Sequence, residues 1–159
     1  MGQGAEAADI TRIEYVVSVD LSFPTWAKEY IVAWSKRLYL DQWTLRMELA
    51  LTVCNHEDTR ASCYAQADVN TATLTFRADI EDTEAWRRTI LHELMHVVHA
   101  RIDHCVTRAI VPQAAEASQP LADVIYKQQM ESFIDGMADS LYWCTRYRDY
   151  PAEYPGDAP

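Results

Sequence analysis

The sequence predicts an α+β fold: a small mixed β-sheet packed on an N-terminal helix, a central helix and a C-terminal helix. Period-two alternation of apolar and polar residues marks two strands, Thr44 to Val53 and Thr71 to Arg77. Apolar residues at three- and four-residue steps mark amphipathic helices before, between and after them. Strands and helices do not alternate regularly, so helices laid on a mixed sheet are expected rather than a doubly wound one. At 159 residues, 49% hydrophobic and 24% charged, the chain is sized for one domain with its own core. That domain is expected over residues 1–146. The tail from 147 to 159, rich in tyrosine, proline and acids, is expected to be flexible.

Arg12 to Val19 is β-branched and half apolar, a first strand. In FPTWAKEYIVAWSKRLYL, Pro24 suits a first helical turn, and Trp26, Tyr30, Ile31, Trp34 and Leu38 form one stripe. Thr44 to Val53 follows, with Leu45, Met47, Leu49, Leu51 and Val53 inward. Beyond the polar stretch CNHEDTRA, Ser62 to Val69 alternates weakly. Asn70 marks a turn, and Thr71 to Arg77 closes a hairpin with Ala72, Leu74 and Phe76 inward. Asp79, Glu81, Asp82 and Glu84 crowd a helix N-terminus, where carboxylates meet unpaired N–H groups and the positive dipole end. A helix is therefore predicted from about Thr83 to Asp103. Pro112 and Pro120 bracket a predicted loop. The last helix is predicted from Leu121 to about Arg146, with Tyr126, Met130, Phe133, Ile134, Met137 and Leu141 on its apolar face.

The net charge of −10 and a pI near 4.8 argue against nucleic acid as a partner, because phosphate binding needs clustered Lys and Arg. No run of about 18 apolar residues exists, and the first twenty residues lack the basic and apolar regions of a signal peptide. No membrane association and a cytoplasmic location are the corresponding expectations. Cys54, Cys63, Cys105 and Cys144 are widely spaced, with no CxxC pair. They read as free, buried thiols, with a Cys54–Cys63 bridge the alternative under oxidation.

The chemistry concentrates in TILHELMHVVHA, Thr89 to Ala100. His92-Glu93-Leu94-Met95-His96 is an HExxH motif on a strongly predicted helix. Residues four apart on a helix lie about 6 Å apart along the axis and roughly 40° around it, so both imidazoles can converge on one ion. Glu93 lies roughly 100° away, where a carboxylate can take a proton from a water activated by zinc. His99 is about 10.5 Å from His92 along the axis, too far to share a tetrahedral ion, and is expected to pack or hydrogen-bond below the site. His104 misses the longer HExxHxxGxxH spacing.

A catalytic zinc takes three protein ligands, so the third must come from elsewhere. Glu131, flanked by Met130, Phe133 and Ile134, is the foremost candidate; Glu116, in an Ala-rich stretch, and then Asp123 are the alternatives. Asp135, four residues past Glu131, is placed to hydrogen-bond a ligating histidine.

HExxH followed by Glu131-Ser132-Phe133-Ile134-Asp135 resembles the gluzincin metallopeptidases, most closely their minimal single-domain versions, including metallopeptidases encoded by phages and prophages. The resemblance implies a minimal zincin-like fold, one Zn2+ on His92, His96 and Glu131, Asp135 orienting a histidine, and Glu93 as general base. It also implies an edge strand that binds an extended peptide by main-chain hydrogen bonds, assigned by position to Ser62, Cys63, Tyr64, Ala65 and Gln66. Larger gluzincins hold a Tyr or His over the scissile carbonyl; Tyr126, Tyr64 and His99 are the residues available here. The expected function is zinc-dependent hydrolysis of peptide or protein substrates. The alternative is a weakly active or inactive, zinc-stabilised interaction or regulatory module. The tail's carboxylates are a further candidate, as a plug for the open zinc position.

Overall fold

The computed structural model describes residues 12–17, 22–54, 58–113 and 116–149. Its elements run β1 (Arg12–Val17), α1 (Thr25–Arg37), β2 (Thr44–Ala50), β3 (Ala61–Gln66), β4 (Thr71–Arg77), α2 (Glu84–Cys105) and α3 (Gln119–Asp149). The four strands form one mixed sheet in the order β1-β2-β4-β3, with β1 and β4 parallel to β2 and β3 antiparallel to β4. The α+β class is therefore as expected, and β3 lies at an edge.

The alternation in the strands produces a sheet with one covered face. Leu45, Met47 and Leu49 of β2 and Ala72, Leu74 and Phe76 of β4 are buried, joined by Ile31 and Trp34 of α1, Ile90, Leu94 and Val97 of α2, and Ile134 and Ala138 of α3. Ala61, Cys63 and Ala65 of β3 pack against the same core. The intervening residues point the other way.

Local signals set the helix ends. Pro24 is the N-cap of α1 rather than its first residue. At the other end Tyr39 takes a left-handed conformation at φ 54°, while its N–H donates to the Lys36 carbonyl and that of Leu40 to Ser35. That is a Schellman stop built on tyrosine instead of the usual glycine. Thr83 caps α2, its hydroxyl accepting from the Trp86 N–H at 3.3 Å.

Several expectations are corrected. β2 stops at Ala50, so Leu51 is exposed, although Val53 is buried. β3 is shorter than predicted, ending at Gln66. Between Cys105 and Gln119 the chain is not an open loop: a π-helical turn, Val106–Ile110, continues α2, followed by short 3-10 turns at Val111–Gln113 and Glu116–Ser118. α3 begins ahead of Pro120, whose missing N–H falls in the first turn where no partner is needed. It reaches Asp149, so residues 147–149 are helical and the proposed tail plug, residues 150–159, lies outside the described residues. The end of the first predicted strand, residues 18–19, lies outside them too. All four cysteines are free thiols, but Cys54, Cys105 and Cys144 are exposed and only Cys63 is partly buried. No helix among the described residues is long and apolar enough to cross a membrane.

Candidate metal centre

The central helix α2 forms the floor of a groove, with β3 along one side and α3 along the other. α2 and α3 run antiparallel in a fixed register. Arg88 pairs with Asp139, His92 with Asp135 and Glu131, and His96 with Glu131. On each helix these residues recur every four positions, which keeps them on one face.

His92, His96 and Glu131 bring three ligand atoms together. The two Nε2 atoms are 3.0 Å apart, and each lies 3.6 Å from Glu131 Oε2. In a tetrahedral site with arms of about 2.0–2.1 Å, neighbouring ligand atoms are about 3.4 Å apart. The triangle seen here has a centre about 2 Å from all three atoms, so the residues fit a metal ion. Asp135 Oδ1 accepts from His92 Nδ1 at 2.8 Å. That bond puts the hydrogen on Nδ1 and turns the Nε2 lone pair towards Glu131 and His96, as a ligating histidine requires. Burial holds His96 below the ordinary imidazole value, which favours the neutral ring that can bind a metal. Among the described residues only these three protein groups converge, which leaves room for a further ligand.

Glu93 is the one charged residue buried among the described residues, at 6% exposure. Burial, then the charge of Glu131, pushes its carboxyl up to about 8. A dication held by His92, His96 and Glu131 would reverse the second cause by outweighing the single charge of Glu131. Cys63 of β3 faces Glu93 across the groove; burial and that carboxyl push its thiol above the ordinary range.

The edge strand can be read at the level of single amides. The Arg77 N–H donates to the Arg60 carbonyl at 2.8 Å, which marks residues 60 and 77 as a hydrogen-bonded pair. By antiparallel alternation, Ser62, Tyr64 and Gln66 also direct their main-chain groups at β4. The N–H and C=O groups of Ala61, Cys63 and Ala65 therefore face the open edge beside Glu93. Of the five residues assigned to substrate binding, Cys63 and Ala65 present main-chain groups there, while Ser62, Tyr64 and Gln66 do not.

The remaining candidates are placed as follows. Tyr64 is 67% exposed on the sheet face turned away from α2, its hydroxyl accepting from Gln66 Nε2 at 3.2 Å. The Tyr126 hydroxyl lies by Asp103, two helical turns from His96, and burial with that carboxylate pushes it up to about 12. Neither is brought to the triad. His99 donates from Nδ1 to the Met95 carbonyl at 2.9 Å and packs edge-on against Phe133, yet it also lines a cavity beside His96. Glu116 lies in a 3-10 turn before α3, and Asp123 pairs with Lys127, so neither alternative ligand joins the cluster.

Cavities open on both sides of the triad. One, of about 390 Å3, is lined by Arg60, Arg88, His92, Glu93 and Asp139; the other, of about 280 Å3, runs past His96 and His99 to Asp103. The motif does not point to Arg60 or Arg88, and it gives Asp103 and Asp139 no role on these cavity walls. The four-residue spacing of Arg88-His92-His96 and of Glu131-Asp135-Asp139 is the signal that could have found two of them. A larger cavity, about 590 Å3, lies away from the triad between α1 and the ends of α2 and α3, and its Arg87 and Arg146 are tied to Asp82 and Glu84. Size does not mark the chemistry here. Comparisons with family models, with curated proteins and with solved structures gave no match, so the site is interpreted from its own geometry.

Proposed function

We propose that this protein is a zinc-dependent peptidase of the compact gluzincin type. The observation that carries the reading is the buried carboxyl of Glu93 set beside the convergent His92, His96 and Glu131. An ionisable group buried without an ion-pair partner is costly, and such groups concentrate at functional sites. His92 Nε2, His96 Nε2 and Glu131 would hold one Zn2+; two imidazoles and one carboxylate with an open position is the ligand set of a catalytic zinc. Bound there, zinc polarises a carbonyl and lowers the pKa of water towards 7.

The chain's own residues supply the rest. Asp135 holds His92 in its ligating tautomer. The outward main-chain groups of Ala61, Cys63 and Ala65 pair with an extended peptide and lay it over the groove. A carboxylate oxygen of Glu93 accepts a proton from the attacking water and passes it to the leaving nitrogen as the C–N bond breaks. The Arg60 and Arg88 side of the groove and the Asp103 side then flank the reacting bond.

The second reading, a zinc-stabilised interaction module, is favoured by exposed Leu121, Val124 and Ile125 early in α3. The two readings separate in one experiment: a broad peptide library incubated with the zinc-loaded chain, with and without chelator. Cleavage that chelator abolishes is the expected result. Stoichiometric zinc without cleavage of any peptide favours the module.

A further inference from the structure

The cavity beyond His96 has a chemistry of its own. Its walls near the triad are small or apolar: Cys63 and Ala65 from β3, Ala100 from α2, and Met130 and Ile134 from α3. Asp103 lies two turns past His96 on the same face of α2, about 10.5 Å further along the axis. Lys127 also lines the cavity, but its Nζ is held 2.8 Å from Asp123, so that pair is neutral together. With Glu131 proposed as a metal ligand, Asp103 is the acid that can attract a cation at the far end of the cavity. His99 carries its hydrogen on Nδ1, bonded to the Met95 carbonyl, so Nε2 is left as an acceptor.

We propose that this cavity is a subsite for a lysine or arginine side chain at one of the two substrate positions flanking the cleaved bond. The inference rests on the peptidase reading and adds a substrate class to it. An extended lysine or arginine side chain reaches about 6 Å from its Cα, with an apolar stem and a cationic head. Such a chain runs its stem between Ala65, Ala100 and Met130 and brings its head towards Asp103. Norleucine has lysine's four-carbon stem, so it fills the walls but brings no cationic head to Asp103. Glutamate and aspartate are repelled by Asp103. A free α-amino group next to the cleaved bond stops well short of Asp103, so the cavity selects a side chain and not a chain terminus.

The test is a position-scanning library of internally quenched peptides cleaved by the zinc-loaded full chain. Lysine or arginine is expected to exceed norleucine at least tenfold in kcat/KM at one flanking position. In Asp103→Asn that ratio falls towards one, and in Asp103→Lys the preference turns to glutamate and aspartate. Asp103 is exposed, so both variants are expected to fold, which thermal melting and zinc content check. Cleavage with no basic preference at either position, or a basic preference unchanged in Asp103→Lys, overturns the inference alone. Zinc bound with no peptide cleaved overturns the peptidase reading and the inference with it.

Discussion

The duties proposed for Glu93 and Asp135 are separable, although both lie beside the same histidines. Glu93→Gln removes the proton acceptor while keeping the shape of the side chain. It is expected to retain one zinc per chain and to lose hydrolysis by about 10²-fold or more, the usual contribution of a positioned general base. Asp135→Ala removes the partner of His92 Nδ1 and frees the ring to change tautomer. Zinc affinity is expected to fall roughly 10–100-fold, measured by competition with a chromogenic chelator; unchanged affinity contradicts the orienting role. Glu131→Ala is expected to lose metal as severely as His96→Ala in the same assay. Full affinity in Glu131→Ala shows that the third ligand has been misassigned.

At the scale of elements, the groove depends on how α2 is capped and packed. Thr83→Ala removes the acceptor for the Trp86 N–H and is expected to cost about 1 kcal/mol in chemical denaturation. Leu94, buried completely between Glu93 and His96 in sequence, is a more severe case: Leu94→Ala is expected to cost roughly 2–5 kcal/mol. The elements also show what a sequence can reveal. β4 begins and ends where its alternation does, because every second side chain is driven into the core. β2 breaks the rule at Leu51, where the strand has ended and the alternating pattern no longer has a sheet to face. Phe133 and Met137 are apolar at helical spacing, yet they rim α3 instead of facing the core; Phe133 packs on His99. Spacing alone exposed His92, Glu93 and His96, since one helix holds all three. Glu131 and Asp135 depend on the register of α2 against α3, which only tertiary packing sets. The apolar neighbours of Glu131, the four-residue step to Asp135 and the family resemblance offered them as expectations, and nothing local in the sequence specifies that Arg88 meets Asp139.

For the whole molecule, the proposed metal site would also act as a clamp. Its proposed ligands come from α2 and α3, 35 residues apart between His96 and Glu131, and an unfolded chain does not hold them together. Zinc at 100 times its dissociation constant is expected to add about 2.7 kcal/mol of stability, roughly a 5–10 °C rise in Tm for a chain of this size. The rise should vanish with chelator and in His96→Ala. A melting temperature indifferent to zinc in the wild-type chain contradicts specific binding to the folded state. The module reading predicts the same clamp, so stability by itself does not decide function.

The most direct test of the central claim compares hydrolysis of one peptide library by wild type and Glu93→Gln, each with its zinc content measured. The account predicts equal zinc in both, chelator-sensitive cleavage by the wild type and cleavage at background by the variant. Equal hydrolysis by the two proteins, or one zinc in each with no cleavage by either, contradicts it.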